Sequence, residues 1–111
     1  MSDVNELEFD LKNYEVQKLR LEQAERLSRN SDFRLLIIDG FCRDEAARFV
    51  QGSADPMLSA EERADSLNMA QASGHLKRWL QFQIRMGQTA EKNIAEIEQE
   101  LVELRSVEGA E

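Results

Sequence analysis

The stretch LKRWLQFQIRMGQTAEKNIAEIEQELVEL, residues 76–104, has the residue spacing that decides the fold. Its repeating positions alternate steps of four and three residues, and they are Leu76, Leu80, Gln83, Gly87, Ala90, Ile94, Ile97, Leu101 and Leu104. Alternating steps of this kind are the register of a coiled coil, in which one side of a helix faces another helix. Gln83 and Gly87 make the register imperfect, so its regular part is 90–104, about two heptads. The stretch predicts a carboxy-terminal coiled-coil-like helix.

The apolar stripe at the end of this helix needs a cover. We predict that it binds a partner chain, and the predicted partner-binding residues are Ile94, Ile97, Leu101 and Leu104. The alternative cover is the first helix of the same chain, through Leu7, Leu11 and Tyr14. The flanking positions carry Glu91, Glu98 and Glu100 against a single base, Arg105. Like charges weaken pairing of the helix with its own copy, which favours a basic partner surface or a register that offsets the acids.

A long amino-terminal helix is predicted over 1–28. Apolar residues recur there at three- and four-residue spacing, and they are Val4, Leu7, Leu11, Tyr14 and Leu21. A second apolar set occupies another side of the same helix and consists of Phe9, Val16, Leu19 and Leu27. Two apolar sides predict that this helix contacts two neighbours. The polar run RNSD at 29–32 then ends the helix, and Asn30 or Ser31 is suited to cap the next one.

The segment FRLLIIDGFCRDEAARFV, residues 33–50, resembles both a strand and a helix. Its DG pair is typical of a hairpin turn, but the chain offers no partner strand to satisfy a strand backbone. We therefore predict a core helix over 31–51 with a weak point at Gly40. The expected core joins this helix to the start of the last one and consists of Phe33, Leu36, Ile37, Phe41, Phe49, Leu76, Trp79 and Leu80.

The loop GSADP at 52–56 precedes SAEE at 59–62, which has the spacing of a capping box. A long helix or helix pair is predicted over 59–106, with Gly74 and Gly87 as the places where it can bend. The fold class is all-α: a small helical bundle or a helical hairpin core, framed by the long amino-terminal helix and the coiled-coil-like helix. At 111 residues, 1–111 is expected to be one domain.

The charge is distributed unevenly. The net charge is −8, and acids dominate both ends of the chain, whereas 66–90 contains no acid and carries Lys77, Arg78 and Arg85. An acidic chain repels phosphate, so nucleic acid is disfavoured as the main partner. With 41% hydrophobic residues, no long apolar run and an acidic amino terminus, the sequence predicts neither a membrane span nor a signal peptide.

Chemical motifs are absent from the sequence. One cysteine, Cys42, and one histidine, His75, cannot build the usual zinc site, and no glycine-rich phosphate loop occurs. His75 has no nucleophile motif nearby, so we assign no catalytic residue, no cofactor and no metal. The lone cysteine fits a reducing compartment. The sequence predicts a protein that is not an enzyme.

Three stretches carry a resemblance: DFRLLIIDGFCRDEAARFV at 32–50, ADP at 54–56, and GHLKRWLQFQIRMG at 74–87. Their hydrophobic and glycine spacing resembles a group of small helical proteins that tailed bacteriophages encode among virion genes, and the resemblance covers about 30–92. It implies a phage virion component or assembly factor that acts through a protein partner or self-association, in the host cytoplasm or within the virion. The alternatives are a small acidic regulator or inhibitor of a host protein and an accessory protein that binds nucleic acid.

Overall fold

The structure, a computed structural model, describes the backbone of residues 4–110 and the side chains of residues 4–109. In chain order the elements are helix α1 (Val4–Arg29), the short α2 (Ser31–Phe33), a π-helix (Arg34–Glu45), α3 (Ala46–Ser53) and α4 (Ala60–Ala110). No strand occurs in the described part of the chain. The all-α prediction, with a long helix at each end, is confirmed. Residues 1–3 of the predicted first helix lie outside the described residues.

Helix α4 runs 51 residues without a break at Gly74 or Gly87. Its start confirms the predicted capping box, because the Ser59 amide donates to Glu62 Oε1 and the Glu62 amide donates to Ser59 Oγ, both at 3.1 Å. The Ser59 amide, followed by its hydroxyl, lowers the pKa of the Glu62 carboxyl. The stability that the charged Glu62 carboxylate adds to the cap is therefore fully present above the usual pKa of glutamate and is lost as the pH falls through the lowered value.

The middle segment is helical from Ser31 to Ser53, as predicted, but most of it is a π-helix. Asn30 provides the cap, since its Oδ1 accepts a hydrogen bond of 2.8 Å from the Phe33 amide. Gly40 lies within the π-helix, and a Cβ there would fall 3.1 Å from the carbonyl oxygen of Leu35, five residues earlier. A π-turn bonds residue i to i+5 and is wider than an α-turn, so side chains leave it at a different angular spacing.

The chain divides into two compact units, each described here by itself. Unit 1 consists of 1–24 and 83–111, and unit 2 consists of 25–82. Both α1 and α4 contribute residues to each unit, and the expectation of one domain stays a prediction.

Unit 1 is an antiparallel helix pair. Its core is Leu7, Ile97 and Leu101, against which four half-buried side chains pack: Val4, Leu11, Tyr14 and Leu104. The α4 stripe is buried at every predicted heptad position from Gln83 to Leu101, including the two positions that interrupt its apolar pattern. The heptad therefore predicts the correct face of α4.

The middle of unit 1 is packed unusually closely. A Cβ on Gly87 would lie 2.2 Å from Leu21 Cβ and 3.1 Å from the carbonyl oxygen of Gln17. Real Cβ atoms do not approach that closely, so Gly87 is what lets α1 reach α4 at this point. Ala24 and Ala90 are also buried, at 9% and 0% exposure. Small residues thus fill this part of the heptad because the backbones are close together.

This packing predicts opposite effects of one substitution at two helical glycines. Gly87→Ala is expected to destabilise the protein by about 1–3 kcal/mol, because the new methyl group overpacks against Leu21. Gly74→Ala is the matched control, since a Cβ at Gly74 meets nothing within 4 Å. The control should gain about 0.5–1 kcal/mol from the better helix propensity of alanine. Chemical denaturation measures both, and an equal gain at the two sites would contradict the close approach.

Unit 2 packs without a large apolar core. Throughout 25–82, all of which the structure describes, no hydrophobic side chain is buried, and Ser73 is the one buried residue, at 2% exposure. Its hydroxyl donates to the Ala70 carbonyl oxygen at 2.7 Å. A Cβ on Gly52 would lie 2.8 Å from Ser66 Oγ, so small residues also permit a close approach here.

The predicted core is therefore wrong. Leu36 is 72% exposed and Trp79 is 55% exposed. The other six members, Phe33, Ile37, Phe41, Phe49, Leu76 and Leu80, are only half-buried. The prediction assumed α-helical spacing through 33–41, where the π-helix changes the direction of each side chain.

Candidate interaction surface

The predicted partner-binding stripe lies inside unit 1. Ile94 and Ile97 are each 8% exposed, Leu101 is 3% exposed, and Leu104 packs half-buried against the same core. The residues that cover this core include Leu7, Leu11 and Tyr14 of α1, which is the alternative cover predicted from the sequence. The stripe is packed against α1 within unit 1, and its assignment as the partner-binding surface stays a prediction.

One ion pair joins the two helices of unit 1 at the surface. Arg105 Nη2 donates to Glu8 Oε1 at 2.9 Å, and both side chains are about half exposed. Arg105 is the single base that the sequence places at the edge of the α4 stripe, and its partner is an acid of α1. An exposed pair of this kind adds little stability, but it favours the antiparallel register over one that would face the acids against each other.

Burial of the stripe by α1 determines how charged substitutions should act. Ile97→Asp together with Leu101→Asp is expected to lower the melting temperature strongly, because a buried charge without a partner costs several kcal/mol. The solution mass should stay that of the parent chain at equal concentration. Val102→Asp is the control, since Val102 is 66% exposed on the same helix. Loss of association with an unchanged melting temperature would contradict the intramolecular cover.

The second apolar set of α1 is on the outside. Within unit 1, Phe9 is 66% exposed, Val16 is 52% exposed and Leu19 is 50% exposed. We name these three residues the outer face of α1. Glu15 and Glu22 lie one turn before and after Leu19 on the same side of the helix, and the bases Lys12 and Arg20 lie one turn before and after Val16. The outer face of α1 is therefore exposed and apolar with charges of both signs beside it, and among the described residues of unit 1 no second neighbour buries it.

Unit 2 exposes most of its large hydrophobic side chains. The nine that are clearly exposed are Leu27, Leu35, Leu36, Val50, Met57, Leu67, Met69, Trp79 and Phe82. Single exposed hydrophobic residues are normal on protein surfaces, but this unit combines nine of them with no buried one. The surface of unit 2 is therefore the strongest candidate for a site of interaction.

The aromatic part of this surface is basic. Trp79 and Phe82 are 55% and 46% exposed, and they lie three residues apart on α4, where side chains share one side of a helix. Arg78 is exposed four residues before Phe82, and we name Arg78, Trp79 and Phe82 the aromatic face of α4. His75 is also exposed, one turn earlier. The segment that the sequence singles out for its histidine and tryptophan is thus surface, not core.

Two arginines of unit 2, Arg43 and Arg48, are paired with acids close to them in the sequence. Arg43 contacts Asp44 at 3.0 Å and Asp39 at 3.6 Å, and Asp44, more than Asp39, raises its pKa. Arg48 pairs with Glu45. Within the described residues Lys77 and Arg78 form no ion pair, and neither do Glu15 and Glu22 of α1, a property they share with most charged residues of the chain. The α4 bases and the α1 acids thus remain available for charges from outside.

The structure offers little for chemistry that needs converging polar groups. In residues 4–109 no three side chains of histidine, cysteine, aspartate or glutamate lie where they could hold a metal ion. Cys42 is half-buried and free. Among the described helices none is both long and apolar enough to cross a membrane. The notable feature of the chain is its exposed apolar side chains.

Sequence reasoning did not separate the exposed apolar side chains of the chain from the buried ones. It placed the partner-binding surface on the α4 stripe and the core on Leu36, Trp79 and their neighbours. One signal could have corrected this: Gly87 and Ala90 continue the heptad with small residues, as expected where a second helix of the chain comes close. Lys77, Arg78 and Arg85 beside the aromatic residues likewise indicate a solvated side.

No described protein family, curated protein or solved structure matches this chain.

Proposed function

We propose that this chain is a non-enzymatic helical interaction protein that acts as a virion component or assembly factor of a tailed bacteriophage. The observation that carries the proposal is the surface of unit 2, which exposes nine large hydrophobic side chains and buries none. Burial of apolar surface is the main driving force of association, so such a surface favours contact with another protein.

The contrast between the two units supports this proposal. Unit 1 covers its own apolar stripe, with Leu7, Ile97 and Leu101 buried together. Unit 2 brings small residues such as Gly52 and Ser66 close together and leaves nine of its large hydrophobic side chains exposed. In such a chain, unit 1 is stabilised by its own core, and unit 2 gains stability when a partner binds its exposed side chains.

The phage role rests on the sequence resemblance over about 30–92, most of which falls in unit 2. The site of action under this proposal is the cytoplasm of the host cell, with incorporation into the particle where the chain is a virion component. The proposal includes no catalytic step, since it assigns His75 and Cys42 no chemical role and relies only on packing of exposed helices.

The proposal predicts that the chain is found in particles of the phage that encodes it. Quantitative mass spectrometry of purified precursor and mature particles should detect it in a fixed copy number per particle in at least one of the two. Disruption of its reading frame should lower the yield of complete particles. Absence from both kinds of particle, with a normal yield, would contradict the proposal and favour the regulator of a host protein.

Two variants connect this assay to unit 2. Leu35→Ser with Leu36→Ser removes two side chains of unit 2 that are 65% and 72% exposed. Val102→Ser with Val107→Ser is the control, because those two are 66% and 61% exposed in unit 1. The first variant should fail to restore particle yield while its melting temperature changes little, and the control should restore it. Equal rescue by both would show that unit 2 does not carry the interaction.

A further inference from the structure

Helix α4 has a second heptad on the side that faces away from α1. Each of its positions follows a position of the buried heptad by two residues, which is about 200° around the helix. Within unit 1 all members of this second heptad are exposed. We name them the charged stripe of α4, and they are Arg85, Thr89, Lys92, Glu96, Gln99 and Glu103.

The charges of this stripe are sorted along the helix. The bases Arg85 and Lys92 occupy its first half, and the acids Glu96 and Glu103 occupy its second half. Among the described residues none of these four has an ion-pair partner. The stripe is thus basic at one end and acidic at the other, and it is open to solvent over its whole length.

The other charges of α4 do not disturb this order. Arg78 lies on the same side one heptad before Arg85, and Glu100 lies one turn after Glu96 and one turn before Glu103, in the acidic half. The remaining charged residues of 85–108 each follow a position of the buried heptad by four residues, so they lie on the sides nearer to α1. They are Glu91, Glu98, Arg105 and Glu108, and the ion pair of Arg105 with Glu8 of α1 confirms this direction.

We propose that two copies of this chain pair through the charged stripe of α4, with the two helices antiparallel. In this arrangement Arg85 of each copy lies opposite Glu103 of the other, and Lys92 lies opposite Glu96. The contact is symmetric, so each of the two pairings occurs twice and every charge of the stripe meets its opposite. The inference goes beyond the proposed function, which assigns contact with other phage proteins to unit 2.

The charge order disfavours the other ways of pairing this stripe with its copy. Two parallel helices in register would place every base against the same base and every acid against the same acid, which selects against that pairing. An antiparallel contact displaced by one heptad would place Arg85 opposite Glu96 and recruit Arg78, but it would leave Lys92 opposite Thr89. The proposed register instead puts Lys92 and Glu96 beside the two-fold axis, where crossing helices are closest.

The contact is polar, so its strength should depend on salt. Exposed ion pairs contribute little one at a time, and salt screens them. Thr89 lies opposite Gln99 in this register, which adds a polar contact between the charged pairs. We therefore expect a reversible dimer that dissociates on dilution and at high salt.

Two double variants of the full-length chain test this register. The first carries Arg85→Glu with Glu103→Lys, which exchanges the members of one proposed pair and keeps their attraction. The second carries Arg85→Glu with Glu96→Lys, which places like charges opposite each other in both pairings. The two variants match each other in amino-acid composition, and both keep the net charge of the parent chain. All three positions are exposed, so circular dichroism should show that both variants fold.

Sedimentation equilibrium at low salt gives the decisive comparison. The first variant should dimerise within about threefold of the parental strength, and the second should dimerise at least roughly tenfold more weakly. Equal dimerisation of the two variants would overturn the pairing, since it shows that the order of charges along the stripe has no effect. Stronger dimerisation of the second variant would also overturn it, because that result is expected for the contact displaced by one heptad.

Failure of this inference and failure of the proposed function are distinguishable. A parent chain that stays monomeric at low salt at every concentration, yet is incorporated into particles, would overturn the antiparallel pairing and leave the proposed function standing. Dimerisation with the expected difference between the variants, in a chain that is absent from particles, would support the pairing and contradict the proposed function.

Discussion

The close contact of Leu21 with Gly87 is the constraint on which the rest of unit 1 depends. A Cβ on residue 87 would lie 2.2 Å from Leu21 Cβ, which is closer than real Cβ atoms approach. The contact between α1 and α4 therefore requires a glycine at this position. Once they meet there, the antiparallel direction places Leu7 against Ile97 and Leu101 and brings Glu8 to Arg105. The apolar stripe of α4 is then packed against α1 inside the chain.

The same use of small residues has a different result in unit 2. Gly52 approaches Ser66, and Ser73 is buried with its hydroxyl bonded to the Ala70 carbonyl. An interior made of such residues contributes little apolar burial, so it stabilises the fold less than the core of unit 1 does. Nine of the large hydrophobic side chains are left exposed, where they can contribute to association. Exposed Trp79 and Phe82 are thus a direct consequence of how unit 2 packs.

Local sequence signals predicted the helices well. The capping box of Ser59 and Glu62, the cap at Asn30 and the heptad through Leu101 all have a short-range physical basis, and each appears in the structure. The identity of the core did not follow from them. Both α1 and α4 have two apolar sides, and spacing along one helix does not say which side another helix covers.

The candidate site was missed for two physical reasons. The π-helix over Arg34–Glu45 changes the side-chain directions that α-helical spacing predicts, so Leu36 lies outside. The aromatic residues were also predicted to lie in the core. Trp79, however, is next to Arg78, and a charged side chain favours exposure to solvent. What could be inferred from the sequence was the architecture, and what needed the structure was the distribution of apolar side chains between inside and outside.

Residue-resolved hydrogen exchange of the native chain tests most directly whether unit 1 carries the stability of the fold. The account predicts the slowest amide exchange in 17–24 and 87–101, where α1 and α4 are in closest contact, at every protein concentration. It predicts faster exchange in the π-helix of 34–45, in which no hydrophobic side chain is buried. Protection of 34–45 equal to that of 87–101 would contradict it.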